Sequence, residues 1–356
     1  MAQKSAYATQ MDNKNIKLIN AMLVELPSFV KDFINARSIN TAVRTLLNYT
    51  YGIRRFLTWM QTAIPHLSDQ PVKSISLDDL SHLTAKDFEE FMLYLQADPL
   101  HTNSRDGVAQ KMAAVGSLFT YLYKNDFIEN NPMNKLERPK VIKDKRIIYL
   151  TDEECIRLLD VIEYGSDNVP AHQMAYLQRT RCRDLAIITL MLNTGIRRSE
   201  CVGLNLTDIN LTEGKMQVYR KGGKFQYIPL NSEVIEILRV YIEERKRTRV
   251  TTRTDEKALF LSMQNRRING STIENMLKKY ALMAGITKPI TPHKLRKTYG
   301  TALYRKTRDI YLTANALGHD NVSTTSRHYV NDSEESLKEV AEDIRIRQHR
   351  QDQESA

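Results

Sequence analysis

Apolar residues recur every three or four positions through roughly the first 130 residues, and runs that alternate between apolar and polar residues are almost absent there. This spacing predicts a purely helical domain. Helices are predicted over 16–36, 41–62 and 106–124. Pro27 is expected to break or kink the first of them, because proline has no backbone N–H to donate. A further helix is predicted to start at Thr84, where Asp87 follows three residues later.

A charged, proline-containing segment with few large apolar residues, 137–146, follows the sequence Asn-Asn-Pro at 130–132. Such a composition is typical of a linker between domains. We predict a helical domain over 1–138, a basic linker over 139–149, a second domain over 150–332 and a C-terminal helix or tail over 333–356. The basic side chains of the linker are candidate contacts for a phosphate backbone, namely Lys140, Lys143, Lys145 and Arg146.

The second domain is predicted to be mostly helical as well, with one small antiparallel sheet. Thr151 is expected to cap a helix with acidic residues in its first turn. Residues 185–193 read as a buried helix that ends at Gly195. Two short β-type runs flank Lys221-Gly222-Gly223 within 215–230, which predicts a hairpin. The expected fold class is therefore mainly α.

The overall charge favours a polyanionic partner, because 52 Lys and Arg residues outnumber 42 Asp and Glu residues. Three cysteines without a Cys-x-x-Cys spacing argue against a disulfide framework and against a zinc ribbon. The longest strongly apolar stretch, 185–192, is too short to cross a bilayer. We therefore expect a soluble, cytoplasmic protein with reduced thiols and no membrane partner.

The candidate catalytic side chains are spread through the second domain, each in a context that is expected to expose its tip. They are Arg197, Lys221, His293, Arg296, His319 and Tyr329. Two guanidiniums, a lysine, imidazoles and a phenol can bind one phosphodiester and supply an acid, a base and a nucleophile. This set contains no metal-ligand cluster, so neither a metal nor another cofactor is expected. Glu200 is a candidate support, either for Arg197 or only for the start of its own helix.

The hexapeptide 291–296 is the most informative of these stretches. Thr291 is expected to cap a helix, Pro292 suits its first position, and His293 and Arg296 share one face three residues apart. A helix N-terminus attracts anions, so these side chains predict a phosphate site. Lys294, beside them, and Lys224, in the predicted hairpin, are further candidate contacts for a phosphate backbone.

With these motifs the chain resembles the tyrosine recombinases of the phage integrase family. The matching stretches, in family order, are TGIRRSE at 194–200, RKGGK at 220–224, TPHKLRKTYGT at 291–301, LGH at 317–319 and STTSRHY at 323–329. The resemblance implies a helical, SAM-like core-binding domain followed by a mostly helical catalytic domain. The chain looks most like Xer-type members, particularly the long form that acts alone in streptococci and lactococci.

The resemblance also implies a role for each candidate residue. Arg197 and Arg296 would clamp the phosphate, and His319 would donate to one of its oxygens. Lys221 would be the general acid to the 5′ oxygen, His293 the acid/base partner and Tyr329 the nucleophile. The reaction would need no metal ion and no ATP.

The function expected from this resemblance is site-specific DNA recombination through a 3′-phosphotyrosyl intermediate, in the form of chromosome dimer resolution. Integration or excision of a mobile element, a type IB topoisomerase and a DNA-binding regulator on the same scaffold stay open as alternatives. The expected partners are double-stranded DNA, further copies of the chain as a dimer on each site and a tetramer in the synapse, and a translocase or directionality factor. A nucleoid-associated location in a bacterium follows from the same resemblance.

Overall fold

The structure is a computed structural model that describes residues 5–97, 103–136, 148–165, 171–220 and 225–318. The chain divides into two compact units, the first over Ala6–Asp144 and the second mainly from Lys145 onward. Most of the predicted linker over 139–149, with its four basic side chains, and all of the predicted tail over 333–356 lie outside the described residues. Within the described ranges, no helix is both long and apolar enough to cross a membrane.

The described residues of the first unit form helices joined by turns and loops, with no strand among them. Its helices are α1 (Ala6–Leu23), α2 (Ser28–Ser38), α3 (Val43–Ala63), α4 (Leu77–Ser81), α5 (Ala85–Ala97) and α6 (Arg105–Lys124). Pro27 separates α1 from α2, which confirms the predicted break. Asp87 accepts hydrogen bonds from the backbone N–H and the hydroxyl of Thr84, both at 2.7 Å, at the predicted start of α5.

Helix α4 is absent from the sequence-based prediction because five residues are too few to show a periodicity. It starts at a capping box instead. The Ser76 backbone N–H donates to the Asp79 carboxylate at 2.7 Å, and the Asp79 N–H donates back to the Ser76 hydroxyl at 3.2 Å.

The core of the first unit is built around Phe56, which is completely buried in α3. Its ring stacks on Phe88 with 5.5 Å between centroids and meets Phe91 edge to face at 5.1 Å. Helices α3 and α6 approach closely at Gly52, where a Cβ atom would lie only 2.8 Å from the Cβ of Ala114. The apolar faces that sequence periodicity assigned to α3 and α5 therefore meet in one core.

The second unit surrounds the buried helix α8. Its helices are α7 (Asp152–Tyr164), α8 (Ala171–Thr194), α9 (Arg198–Gly203), α10 (Ser232–Arg247), α11 (Gly270–Met283), α12 (Pro292–Thr307) and α13 (Ile310–Leu317). Helix α8 packs against α7, α10 and α12, and its residues 186–188, 190 and 191 are almost fully buried. Thr151 caps α7 as predicted, and Glu154 completes the capping box.

A three-stranded antiparallel sheet interrupts these helices. Its strands are β1 (Ile209–Asn210), β2 (Lys215–Tyr219) and β3 (Phe225–Pro229), in that spatial order. The predicted hairpin corresponds to β2 and β3, with Met216 opposite Ile228 and Val218 opposite Gln226. Strand β1 was not predicted, because two residues carry no detectable alternation. The hairpin residues 221–224 lie outside the described residues.

Replacing Phe56 with alanine should destabilise the first unit by about 3–5 kcal/mol, because it removes a fully buried ring and leaves a cavity. Denaturant unfolding followed by circular dichroism measures this change. Tyr51→Ala is the matched control on the same helix, since Tyr51 is 48% exposed and should cost far less. Equal losses for the two variants would contradict the placement of Phe56 at the core.

Candidate active site

Arg197 stands at the junction between α8 and α9. Gly195 ends α8 in a left-handed conformation, with φ of +59°, and a Cβ there would collide with the ring of Tyr299. Arg197 is the N-cap residue of α9. Its guanidinium donates to the Glu200 carboxylate at 2.8 Å and to the carbonyl of Gly318 at 3.0 Å. The side chain stays 35% exposed, so it can also meet an anion from solvent.

Glu200 braces two arginines and also caps its own helix. One carboxylate oxygen accepts from the Arg197 guanidinium, and the other accepts from the Arg197 backbone N–H and from Arg220, each at 2.8 Å. Burial alone would raise the pKa of Glu200. The charge of Arg220 and the hydrogen bonds from Arg197 outweigh that effect and lower its pKa below the ordinary value. Both of the roles considered for Glu200 are therefore present in the structure.

Helix α12 places His293 and Arg296 one turn apart, with Pro292 at its first position as expected. Thr291 is the N-cap residue, but its side chain makes no capping bond. The Thr291 carbonyl instead accepts the N–H of Lys294 at 2.8 Å. His293 is exposed.

Arg296 differs from the expectation of an exposed tip, because only 4% of the residue is accessible. Its guanidinium donates to the carbonyl of Gly195 at 2.6 Å and to the carbonyl of Leu317. The physical reason is that two helix ends, those of α8 and α13, meet here and leave carbonyl groups that need donors.

The end of α13 collects three guanidiniums on three consecutive carbonyl groups. Ala316 accepts from Arg220 at 3.1 Å, Leu317 accepts from Arg296, and Gly318 accepts from Arg197 at 3.0 Å. These carbonyls lack partners within the helix, and the negative end of the helix dipole favours cations beside them. The described structure therefore brings Arg197, Arg296 and Glu200 together, at the residue that precedes His319 in the chain.

Several predicted site residues lie outside the described residues, namely Lys221, Lys224, His319 and Tyr329. Lys294 lies within the described residues and is half-buried in the first turn of α12. Burial and the charge of Lys294 lower the pKa of the neighbouring Lys297. Positive charge is thus concentrated on this part of α12, which suits a phosphate-rich ligand.

Arg220 was not recognised from the sequence as a member of the site. It is 9% exposed and connects Glu200 to the end of α13. A signal for it exists in the alternation of β2, because Met216 and Val218 face inward and Arg220 is the next position of that series. A charged residue at an inward position indicates buried polar partners.

Chemically, the described side chains form a cation-rich cluster, which can attract an anion. Arg197 presents donors in a fixed orientation from a partly exposed side chain, which suits the non-bridging oxygens of a phosphodiester, whereas Arg296 is buried. Within the described ranges, no group of three or more His, Cys, Asp and Glu side chains is arranged to hold a metal ion. Cys155, Cys182 and Cys201 form no disulfide.

Residues 148–336 match the phage integrase family. The tyrosine recombinase XerS of Streptococcus uberis is 34% identical over 343 residues, which cover 87% of this chain and 94% of that protein.

Two solved structures share the fold. The XerH site-specific recombinase bound to a palindromic difH substrate has a TM-score of 0.64 and 21% identity, and the match covers 87% of this chain and 82% of that one. A lambda integrase dimer bound to a COC′ core site has a TM-score of 0.60 and 17% identity, and the match covers 85% of this chain and 94% of that one.

Replacing Glu200 with glutamine should destabilise the second unit at neutral pH, because the buried Arg220 then loses its charged partner. The pKa of Glu200 is lower in the folded chain than in the unfolded chain. The carboxylate therefore stabilises the fold above its ordinary pKa, and this contribution is lost as the pH falls from there through the folded pKa. The stability difference between wild type and variant should be large at pH 7 and shrink toward pH 4.

Denaturant unfolding at the two pH values measures this difference. Glu274→Gln is the control, because Glu274 pairs with Arg198 at the surface, where a salt bridge contributes at most about 1 kcal/mol. A difference that stays constant between pH 7 and pH 4 for Glu200→Gln would contradict a charge-based role.

Proposed function

Since the chain belongs to the phage integrase family and is a tyrosine recombinase, we propose that it breaks and rejoins DNA at a specific site with Tyr329 as the nucleophile. The observation that carries this proposal is the pair of arginines held at the end of α13. Arg197 and Arg296 bind the carbonyls of Gly318 and Leu317. His319, a third proposed phosphate ligand, is the next residue in the chain.

The proposed reaction displaces one ester oxygen of phosphorus by another. The phenol oxygen of Tyr329 attacks the scissile phosphorus, and its proton passes to His293 as the base. The bond from phosphorus to the 5′ oxygen breaks, and Lys221 gives that oxygen a proton. The DNA is left with a 3′-phosphotyrosyl bond and a free 5′ hydroxyl, which can attack the equivalent bond of a partner strand. One phosphodiester replaces another, so the chemistry needs no ATP.

The transition state carries more negative charge than the substrate, and the site is built to stabilise that charge. Arg197, Arg296 and His319 would donate to the non-bridging oxygens. Because their carbonyl partners hold the two guanidiniums in place, little reorganisation is needed when the charge develops. These donors take the place of a divalent metal ion, and we propose metal-independent cleavage.

We propose chromosome dimer resolution as the biological role, because the chain is similar to the tyrosine recombinase XerS over most of its length. The XerH structure holds a difH substrate and the lambda integrase structure is a dimer on DNA, and both share the fold. We therefore propose double-stranded DNA as the substrate, a dimer on each site and a tetramer in the synapse. A translocase or directionality factor as partner, and location on the nucleoid of a bacterial cytoplasm, belong to the same proposal.

We propose that the linker residues Lys140, Lys143, Lys145 and Arg146 contact the phosphate backbone together with Lys224 and Lys294. Each phosphate that a cation neutralises releases counterions, so binding should weaken steeply as salt is added. Backbone contacts of this kind position the protein without reading the sequence. The domain ranges 1–138 and 150–332 would then both bind the duplex, on either side of the linker.

Tyr329→Phe should abolish formation of a covalent complex with DNA, because the phenol oxygen is the proposed nucleophile. Footprinting first identifies the bound site, and a duplex nicked near the scissile phosphate then traps the complex, which is measured on a denaturing gel. Tyr311→Phe is the matched control, since Tyr311 is 72% exposed on α13 and should keep wild-type trapping. Trapping should persist in EDTA. Absence of trapping with both wild type and Tyr329→Phe would favour the DNA-binding regulator, and equal trapping by both would mean that another side chain is the nucleophile.

Removal of residues 333–356 should weaken cooperative assembly on a two-protomer site while single-protomer binding is kept. The reason is the narrow apolar stripe of this segment, Leu337, Val340, Ala341 and Ile344, which suits docking onto a neighbouring copy. Gel-shift titrations on half and full sites measure both steps. Unchanged cooperativity would mean that the segment packs on its own unit.

A plasmid with two identified sites distinguishes recombination from the activity of a type IB topoisomerase. Recombination deletes the DNA between the sites, whereas a topoisomerase only relaxes the plasmid.

A further inference from the structure

Arg220 is a buried cation with no assigned role in the proposed reaction. It directly follows β2, on the inward face that also carries Met216 and Val218, and it is 9% exposed. A buried guanidinium is costly unless hydrogen bonds and a counter-charge compensate it. The groups that compensate the buried charge of Arg220 therefore indicate the role of this side chain.

Those partners lie on three different elements. The Nε atom donates to the side-chain oxygen of Gln226 on β3 at 3.0 Å, and one terminal nitrogen donates to Glu200 on α9 at 2.8 Å. The other terminal nitrogen donates to the carbonyl of Ala316 in α13 at 3.1 Å. One planar group therefore connects the hairpin, the helix start that carries Arg197 and the helix end that precedes His319.

Two neighbours strengthen this connection. Gln226 uses its amide nitrogen to donate to the carbonyl of Asn315 at 3.1 Å, so the hairpin binds α13 at a second point. Gly318 adopts φ of +59°, and a Cβ there would lie 2.6 Å from Nε of Arg220. The absence of a side chain at 318 thus lets the guanidinium lie against the backbone at the end of α13.

We propose that Arg220 is a positioning residue for DNA cleavage, because it fixes the end of β2 against α9 and α13. Lys221 is the next residue in the chain, so the fixed point lies one peptide unit from the proposed general acid. This inference rests on the proposed function, in which Lys221 protonates the 5′ oxygen. Arg220 does not touch the DNA in this proposal. Its hydrogen bonds fix the end of β2, and the segment that begins there carries Lys221, the proposed acid.

The guanidinium is suited to this task in a way that a lysine is not. Its planar fork makes three directed hydrogen bonds at once, whereas an ammonium is a compact charge on a flexible stem. Arg220→Lys keeps the charge beside Glu200 but cannot reproduce all three bonds. A shift of about 1 Å in a catalytic group can cost on the order of 100-fold in rate. We therefore expect Arg220→Lys to slow cleavage by about 10- to 100-fold while site affinity changes little.

A substrate with sulfur in place of the bridging 5′ oxygen tests which step is affected. With oxygen, the bond from phosphorus to the 5′ oxygen breaks and the leaving oxygen takes a proton from the acid. With sulfur, the bond from phosphorus to sulfur breaks and a thiolate leaves with the electron pair, without needing that proton. Arg220→Lys should therefore cleave the sulfur substrate at a rate within about threefold of wild type, since only proton delivery is impaired. Single-turnover rates at saturating DNA measure both substrates.

Arg245→Lys is the matched control for a purely structural effect. Arg245 is also buried in the second unit, and its guanidinium donates to the backbone carbonyls of Ala258, Asp255 and Glu256. The Arg245→Lys variant should have a lower Tm than wild type. The ratio of its cleavage rate on the sulfur substrate to its rate on the oxygen substrate should equal the wild-type ratio. Gln226→Ala is a milder second variant, to be used if Arg220→Lys does not fold, and it should show a smaller slowing with the same sulfur rescue.

Rates of Arg220→Lys equal to wild type on the oxygen substrate would overturn the inference. Equal slowing on the oxygen and sulfur substrates would also overturn it, because the defect would then lie outside proton delivery. Failure of the proposed function looks different, since wild type itself would form no covalent complex with either substrate. If wild type cleaves both substrates and Tyr329→Phe cleaves neither, the proposed function stands. The rates of Arg220→Lys then test the role of Arg220 alone.

Discussion

The end of α13 is the constraint on which the described site depends. A helix that ends inside a folded unit leaves carbonyl groups without partners, and these must be satisfied by donors from elsewhere. Here Arg220, Arg296 and Arg197 donate to the carbonyls of residues 316, 317 and 318. The requirement to satisfy the backbone thereby places two proposed phosphate ligands side by side, so the fold and the anion site share the same hydrogen bonds.

Glu200 makes this concentration of positive charge tolerable without neutralising it. Its carboxylate binds Arg197 and Arg220, and it is deeply buried together with Arg220. The Glu200 carboxylate carries one negative charge and contacts two of the three guanidiniums at this junction, those of Arg197 and Arg220. Because the pKa of Glu200 is lowered, the carboxylate keeps its charge at neutral pH and continues to orient Arg197.

Local patterns in the sequence predicted those features that local physics determines. The break at Pro27, the cap at Thr151, the end of the buried helix at Gly195 and the hairpin around 215–230 are all confirmed. The burial of Arg296 could not be predicted in this way, because its carbonyl partners lie 101 and 21 residues away in the chain. Arg220 was missed for the same reason, since Glu200 and Ala316 approach it only after the unit has folded.

Stability alone does not account for an arginine at position 220. An apolar side chain would continue the inward series of Met216 and Val218, and replacing a buried ion pair by well-packed apolar residues is often neutral or stabilising. An apolar residue would not, however, fix direction, because dispersion contacts have no preferred angle, whereas three hydrogen bonds from one plane do. The guanidinium therefore fixes a direction at a point where β2, α9 and α13 meet. A fixed direction of this kind matters because Lys221, the next residue in the chain, is the proposed donor of a proton to a single oxygen atom.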